Sequence, residues 1–316
     1  MKLFHPFFNG QTSCANLALL ILLSLLVSGC TSKTQYVSPS KLTIEEASAD
    51  NDPSKKIANL SYEQLIQKAD YYKKNGNKQL ATLHFEKALS KKPKSMAAAI
   101  GLSHMLLLEG KIEEAQQLLE SALENENNNV AALTLMGNIS RNRGDLDRSL
   151  EFLNEAYQHA PQNPEVLTEL AITNDHMGQE RLTYAEPLYK KVVSLKPRSS
   201  AAHNNLGFNY LLQGRHQDAA KTFTKALALD PGNKRAKNNL GAAYLLNNQT
   251  EEALKLFQDT VGQAAAYNNL GYILMTRGDW EKAEKAFKKA LQLNPSFYVR
   301  AQENLEQLDH LHSSRQ

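Results

Sequence analysis

Cysteine is nearly absent from this chain: 316 residues carry two, Cys14 and Cys30. Both lie near the N-terminus, so no disulfide can fasten the body of the fold. Aromatics make up 7% of residues, and the one long apolar stretch, Leu17–Val27, is eleven residues long and interrupted only by Ser24. A bilayer-spanning helix needs about 20 residues, so that stretch is too short to span. Charge of one sign is also lacking. Lys plus Arg number 36 against 33 Asp plus Glu, a net +3, far from the concentrated basic charge of a nucleic-acid binder. No nucleic-acid partner is expected.

Catalytic signatures are missing as well. The sequence has no Gly-rich phosphate loop, no nucleophile elbow, no paired-cysteine metal site and no zinc-binding helix motif. The nine histidines are dispersed. His310 and His312 stand two apart on an expected helix, a poor ligand geometry, while His104 and His176 are expected to line a polar surface. Glu113-Glu114 and Glu251-Glu252 begin expected helices, where acids favour the helix dipole. The expectation is no enzyme, no cofactor, no metal and no small-molecule substrate.

What is present begins with "NLALLILLSLLVSGC". Its apolar length and small-residue end have the form of a secretory signal. Val27-Ser28-Gly29-Cys30 resembles the lipobox of bacterial lipoproteins, apart from Val where Leu is more usual. That resemblance implies a signal peptide over 1–29 and lipidation of Cys30. One acyl chain anchors weakly, and the three chains of a bacterial lipoprotein imply permanent attachment. Thr31, rather than Asp, follows the cysteine, which by resemblance favours the outer membrane, facing the periplasm. Residues 30–60 are polar, rich in Ser, Lys and acids, and read as a flexible tether.

Beyond the tether the sequence repeats. Gly207 recurs 34 residues on as Gly241 and 30 further as Gly271. Ala219, Ala253 and Ala283 keep the same offsets, as do Phe223, Phe257 and Phe287. Weaker copies run upstream through Ala69 and Phe85, Gly110 and Leu119, Gly137 and Leu153, and Ala171 and Tyr189. Seven units result, near 62–95, 96–129, 130–163, 164–199, 200–233, 234–263 and 264–297, with a closing helix over 298–312. Each unit holds two amphipathic stretches, a Gly such as Gly214 or Gly278 between them, and a Pro such as Pro231 or Pro295 after the second. Small residues (Gly207, Ala219, Ala226) allow close approach, and Leu206, Tyr210 and Phe223 fill the space. One such pair cannot bury its apolar face alone, so the units must stack. The closing helix carries an apolar stripe of Ala301, Leu305, Leu308 and Leu311. Two irregularities stand out: Pro187, expected in a shifted first turn, and four residues missing around "DTVGQAAAY". The pattern resembles the tetratricopeptide repeat, which implies an all-α solenoid of about seven helix-turn-helix repeats with a C-terminal cap.

Three of the first helices carry Asn-Asn-Leu-Gly: Asn204-Asn205, Asn238-Asn239 and Asn268-Asn269. In tetratricopeptide solenoids the first helix lines the concave surface. Residues spaced four then three share a face, which places Asn205, Phe208 and Leu212 together, then Arg235, Asn239 and Leu246, then Asn269 and Tyr272. The second asparagines form a row, with the first ones beside it. An amide both donates and accepts, so the row suits the backbone of an extended peptide, with Phe208, Leu212, Leu246 and Tyr272 as apolar contacts. The pair also occurs widely in such repeats, which leaves a purely structural role open. The first four units have Gln67, Gly101, Leu135 and Glu169 at the row position. Arg235 by itself does not make the Lys/Arg arrangement that clamps a C-terminal carboxylate.

Lipobox, tether, repeats and the closing "AAAYNNLGYILMTRGDWEKAEKAFKKALQLNP" together resemble the Flp pilus assembly (TadD) family of the tight-adherence secretion apparatus. That resemblance implies a scaffold that binds envelope proteins and helps assemble or localise the pilus machinery, including its secretin. A pilotin-like lipoprotein of type IV pili and an adaptor for peptidoglycan-remodelling enzymes are the alternatives.

Overall fold

The computed structural model describes Ile57, residues 59–294 and residues 298–313. The signal, Cys30 and most of the tether lie outside the described residues, as do Pro295 and the side chain of Leu311. Every regular element among the described residues is helical. The helices are α1 (Tyr62–Lys74), α2 (Lys78–Lys91), α3 (Met96–Leu108), α4 (Ile112–Leu123), α5 (Val130–Asn142), α6 (Leu146–His159), α7 (Pro164–His176) and α8 (Leu182–Leu195). They continue as α9 (Ser200–Leu212), α10 (His216–Leu229), α11 (Lys234–Leu246), α12 (Thr250–Val261), α13 (Gln263–Thr276), α14 (Trp280–Leu293) and α15 (Tyr298–Ser313).

Most starts are set by side-chain caps. Ser61 and Gln64 form a reciprocal capping box on α1, and Ser95, Asn129, Ser199 and Asn233 each accept from a backbone N–H of the first turn. Within a hairpin the turn is a left-handed residue closing the first helix. At Gly214 φ is 74°, the Gly214 N–H donates to Leu211 O at 3.0 Å, and the Arg215 N–H donates to Tyr210 O at 2.9 Å. The same paired bonds form in the sixth repeat at Asn248, to Leu245 O and from Gln249 to Tyr244 O. There φ is 64° without a glycine, a conformation Asn tolerates better than other side-chain-bearing residues.

The described helices divide into two compact units, one ending at Thr173 and the other running from Asn174 on. In the first, α1 to α6 enclose a core that includes Phe85, Met105, Leu119, Met136 and Ile139. Its interior also holds an ion pair. Arg141, 9% exposed, meets Glu169 at 2.6 Å, and the Asn138 amide donates to the same carboxylate at 3.0 Å.

In the second unit, helix pairs close through a glycine under an aromatic ring. A Cβ on Gly207 would lie 2.9 Å from Phe223, one on Gly241 2.6 Å from Phe257, and one on Gly271 2.7 Å from Phe287. Those rings are fully buried, so the missing methyl sets how near the two helices come. Gly262 ends α12 and precedes α13 directly, which shortens this turn. On α15, Ala301 and Leu308 are buried while Glu303, Glu306 and Asp309 are exposed, the polar-backed form that can terminate a stack.

Pro187 is a correction. It lies inside α8, at the sixth helical residue, and not in the first turn. A 3₁₀ turn over Gln179–Arg181 precedes α8, so the two extra residues of this repeat are absorbed before the helix and not by delaying its start to Pro187. The proline lacks the N–H that would reach back to Thr183.

Candidate functional site

The asparagine pairs occupy the second turn of α9, α11 and α13. The Leu-Gly that follows each pair is buried: Leu206, Leu240 and Leu270 are core residues, and each glycine sits beneath its aromatic ring. At about 100° per residue, the second asparagine of a pair lies opposite the glycine and faces away from the partner helix. The first asparagine lies nearer the glycine side. The two therefore look towards different neighbours.

Stacking then brings them together across hairpins. The Asn239 side-chain N–H donates to Asn204 Oδ1 at 3.0 Å. Asn269 donates to Asn238 Oδ1 at 3.2 Å, and Asn304 of α15 donates to Asn268 Oδ1 at 2.9 Å. In the sixth and seventh repeats and the closing helix, the amide at the second position gives to the first amide of the repeat before it. One asparagine receives and the next gives, which is why they come in pairs. Asn239 and Asn268 are 3% and 5% exposed, so each would carry a desolvation penalty without its partner. Asn204, Asn205, Asn238, Asn269 and Asn304 are half-buried.

The row has an open beginning. Asn205 accepts from Asn204 at 3.4 Å, and the fourth repeat has Thr168 and Glu169 where the fifth has Asn204 and Asn205, so the paired amides begin here. Along the remaining face, Phe208 is half-buried against Leu182 and Leu212. Leu212 and Tyr272 are both 6% exposed and present little surface. Leu246 is half-buried and Arg235 exposed. Cys30 lies outside the described residues.

Asn304 escapes notice in the sequence because Glu303 precedes it and the paired pattern is lost; its spacing of 35 from Asn269 is the surviving signal. A second polar group is equally hidden. Asp175 is buried, the Tyr189 hydroxyl donates to its Oδ2 at 2.8 Å and the Asn209 amide donates to its Oδ1 at 2.7 Å. Asp175 stands where later repeats have Leu211, Leu245 and Met275, and Tyr189 where they have phenylalanine. Burial pushes the Asp175 carboxyl up to about 7, against the lowering effect of its two bonds. Near the surface, Gln213 links Asn209 to Glu186. Burial works to raise Glu186, but bonds from Lys190, Gln213 and Arg215 hold it below the usual range. His104 is lowered by burial and by Lys73.

No cluster of three or more His, Cys, Asp or Glu side chains suited to a metal occurs among the described residues. None of the described helices is long and apolar enough to cross a membrane.

Three profiles described as tetratricopeptide repeat match residues 74–139 and 210–273, 170–233, and 264–297. The fold is similar to a tetratricopeptide repeat protein from Parabacteroides merdae, 20% identical, covering 78% of this chain and 98% of that one with a TM-score of 0.57. It is also similar to a chain of the APC/C hetero-tetramer Cut9–Hcn1, 15% identical, covering 80% and 50%, TM-score 0.61. A third likeness is to pilF of Pseudomonas aeruginosa, 17% identical, covering 66% and 92%, TM-score 0.54. Among curated proteins, the human Protein O-mannosyl-transferase TMTC1 is 25% identical over 150 residues, 47% of this chain and 17% of that protein. The chain thus spans less than a fifth of that relative's length.

Proposed function

This chain belongs to the tetratricopeptide repeat family, whose repeats act as protein–protein interaction scaffolds, and on that premise we propose a non-enzymatic, lipid-anchored scaffold. Cys30 carries the anchor at the outer membrane, facing the periplasm, and the repeats assist assembly or localisation of Flp/Tad pilus secretion machinery. The observation that carries this reading is a lipobox and polar tether running directly into a chain that is otherwise repeats. Partner contact is assigned to the face of α9, α11, α13 and α15 that bears the asparagine row. An extended segment rises about 3.3 Å per residue and packed helices lie about 8–10 Å apart, so successive amides would meet every third residue or so. The amide groups have donors and lone pairs beyond those used on the rungs.

Affinity purification of the full chain from its own cells, with Cys30→Ala beside it, tests the whole proposal. Co-purification of pilin-assembly or secretin components, lost to the soluble fraction with Cys30→Ala, supports it. Recovery of cell-wall hydrolases or of type IV pilus components instead would replace the Flp/Tad assignment. The binding face is tested at Asn205→Ala with Arg235→Ala, because neither side chain donates on a rung. Replacing Asn239 or Asn269 would disturb the stack as well as the surface. Unchanged capture by the double variant sinks the binding face.

A further inference from the structure

We propose that Asp175, Tyr189 and Asn209 form a proton-operated latch that fastens α8 and α9 to the end of α7 in the 174–316 unit. The three side chains come from three helices and meet in the interior: Asp175 is 3% exposed, Tyr189 2% and Asn209 fully buried. Asn209 also donates to the backbone carbonyl of Leu182, at the start of α8, at 3.0 Å. One amide therefore ties together the last turn of α7, the first residue of α8 and the last turn of α9.

The group is odd in its surroundings. Tyr189 holds the place of Phe223, Phe257 and Phe287, and its hydroxyl is a polar atom introduced into that core position. The groups facing Asp175 are uncharged: the Tyr189 hydroxyl from α8 and the Asn209 amide from α9. On its own helix, His176 follows it in the chain. A charged cluster, Glu186 and Lys190 of α8 with Arg215 at the start of α10, is linked to the group through Gln213 and Asn209. A carboxylate in such a place lacks a cation, and burial disfavours its charged form.

Protonation removes the conflict without breaking the group. The Asp175 Oδ2–H can donate to the Tyr189 oxygen, while Oδ1 continues to accept from Asn209. Since the folded carboxyl keeps its proton to a higher pH than the unfolded chain does, its contribution to stability is complete below the ordinary carboxylate range. It is lost as pH rises to about 7. The latch closes on acidification and is already loosened by neutrality.

The test uses the full chain and compares three proteins between about pH 5 and about pH 9, reading thermal unfolding and amide exchange over residues 174–213, the latter corrected for intrinsic rate. Wild type should lose about tenfold or more of its protection there as pH rises from about 5 to about 7, and little more beyond. Asp175→Asn copies the protonated form, with Oδ1 accepting from Asn209 and Nδ2 donating to Tyr189, so its protection should be flat with pH and exceed wild type at the alkaline end. Tyr189→Phe keeps the carboxyl but removes a donor to its charged form, so the midpoint should move to higher pH. A wild type and an Asp175→Asn protein with the same pH course would overturn the latch. If Asp175→Asn fails to fold, a Tyr189→Phe midpoint equal to that of wild type overturns it alone.

Discussion

Asn239 donates its side-chain amide to Asn204, 35 residues earlier, across 3.0 Å. The bond joins the first helices of consecutive repeats and is repeated, in the same direction, from Asn269 to Asn238 and from Asn304 to Asn268. Direction matters because each rung has one donor and one acceptor. Exchanging either amide for an apolar group strands the other, which is buried at Asn239 and Asn268 and half-buried at Asn204, Asn238, Asn269 and Asn304.

Asn239→Ala should therefore destabilise the 174–316 unit by about 1 to 3 kcal/mol, the range for an orphaned buried polar group. Asn204→Ala should do so too, and the double variant should lose less than the sum, with a coupling of at least about 0.5 kcal/mol. Chemical denaturation of the four proteins reads this cycle. Additive losses would mean that the rung contributes nothing of its own.

Gly207→Ala and Gly214→Ala separate two uses of glycine. The first would place a Cβ 2.9 Å from the Phe223 ring, whereas the second meets nothing within 4 Å but holds φ at 74°. Overpacking at Gly207 should cost about 1–3 kcal/mol, and the left-handed turn at Gly214 about 1–2 kcal/mol. Their pairing with Phe223→Ala distinguishes them: the larger ring removed should mask most of the effect of Gly207→Ala and none of that of Gly214→Ala. Equal masking would contradict the close contact.

Asn248 is the left-handed turn residue of the sixth repeat, and its Oδ1 accepts from Arg277 at 2.9 Å. Asn248→Gly relieves the backbone while losing that bond, so the two effects should nearly cancel. Asn248→Ala loses the bond and keeps the strain, and should cost about 1 kcal/mol more than Asn248→Gly. A lower thermal midpoint for the alanine variant checks the order.

In the other unit, Arg141→Ala should cost about 3 kcal/mol, because Glu169 is left as a poorly hydrated carboxylate without its partner. Arg141→Met combined with Glu169→Leu should recover most of the loss, since an apolar pair of similar volume needs no compensation. Amide exchange should place the loosening in α5 and α7. A loss confined to helices after Asn174 would rule out this assignment.

Much of the fold was legible because its signals are local or strictly periodic. The spacing of Gly207, Gly241 and Gly271, and of Phe223, Phe257 and Phe287, identifies the hairpins. Pro187 was misplaced for a physical reason: proline is usually read as a helix start, yet α8 begins five residues earlier and tolerates the loss of one backbone bond. The row position was also legible, but not what the amides do there. Asn304, outside the paired pattern, was not.

By itself the sequence determined the helices, their turns, the repeat length and which small and large residues share the space between helices, since each follows from side-chain size and backbone preference within one repeat. Tertiary structure alone decided that Asn239 gives to Asn204, that Asn304 continues the row, and that Asp175 is buried between two neutral donors. A hydrogen-bond partner one repeat away depends on the offset at which hairpins stack, and that offset is a property of the packed assembly of helices, not of any one of them.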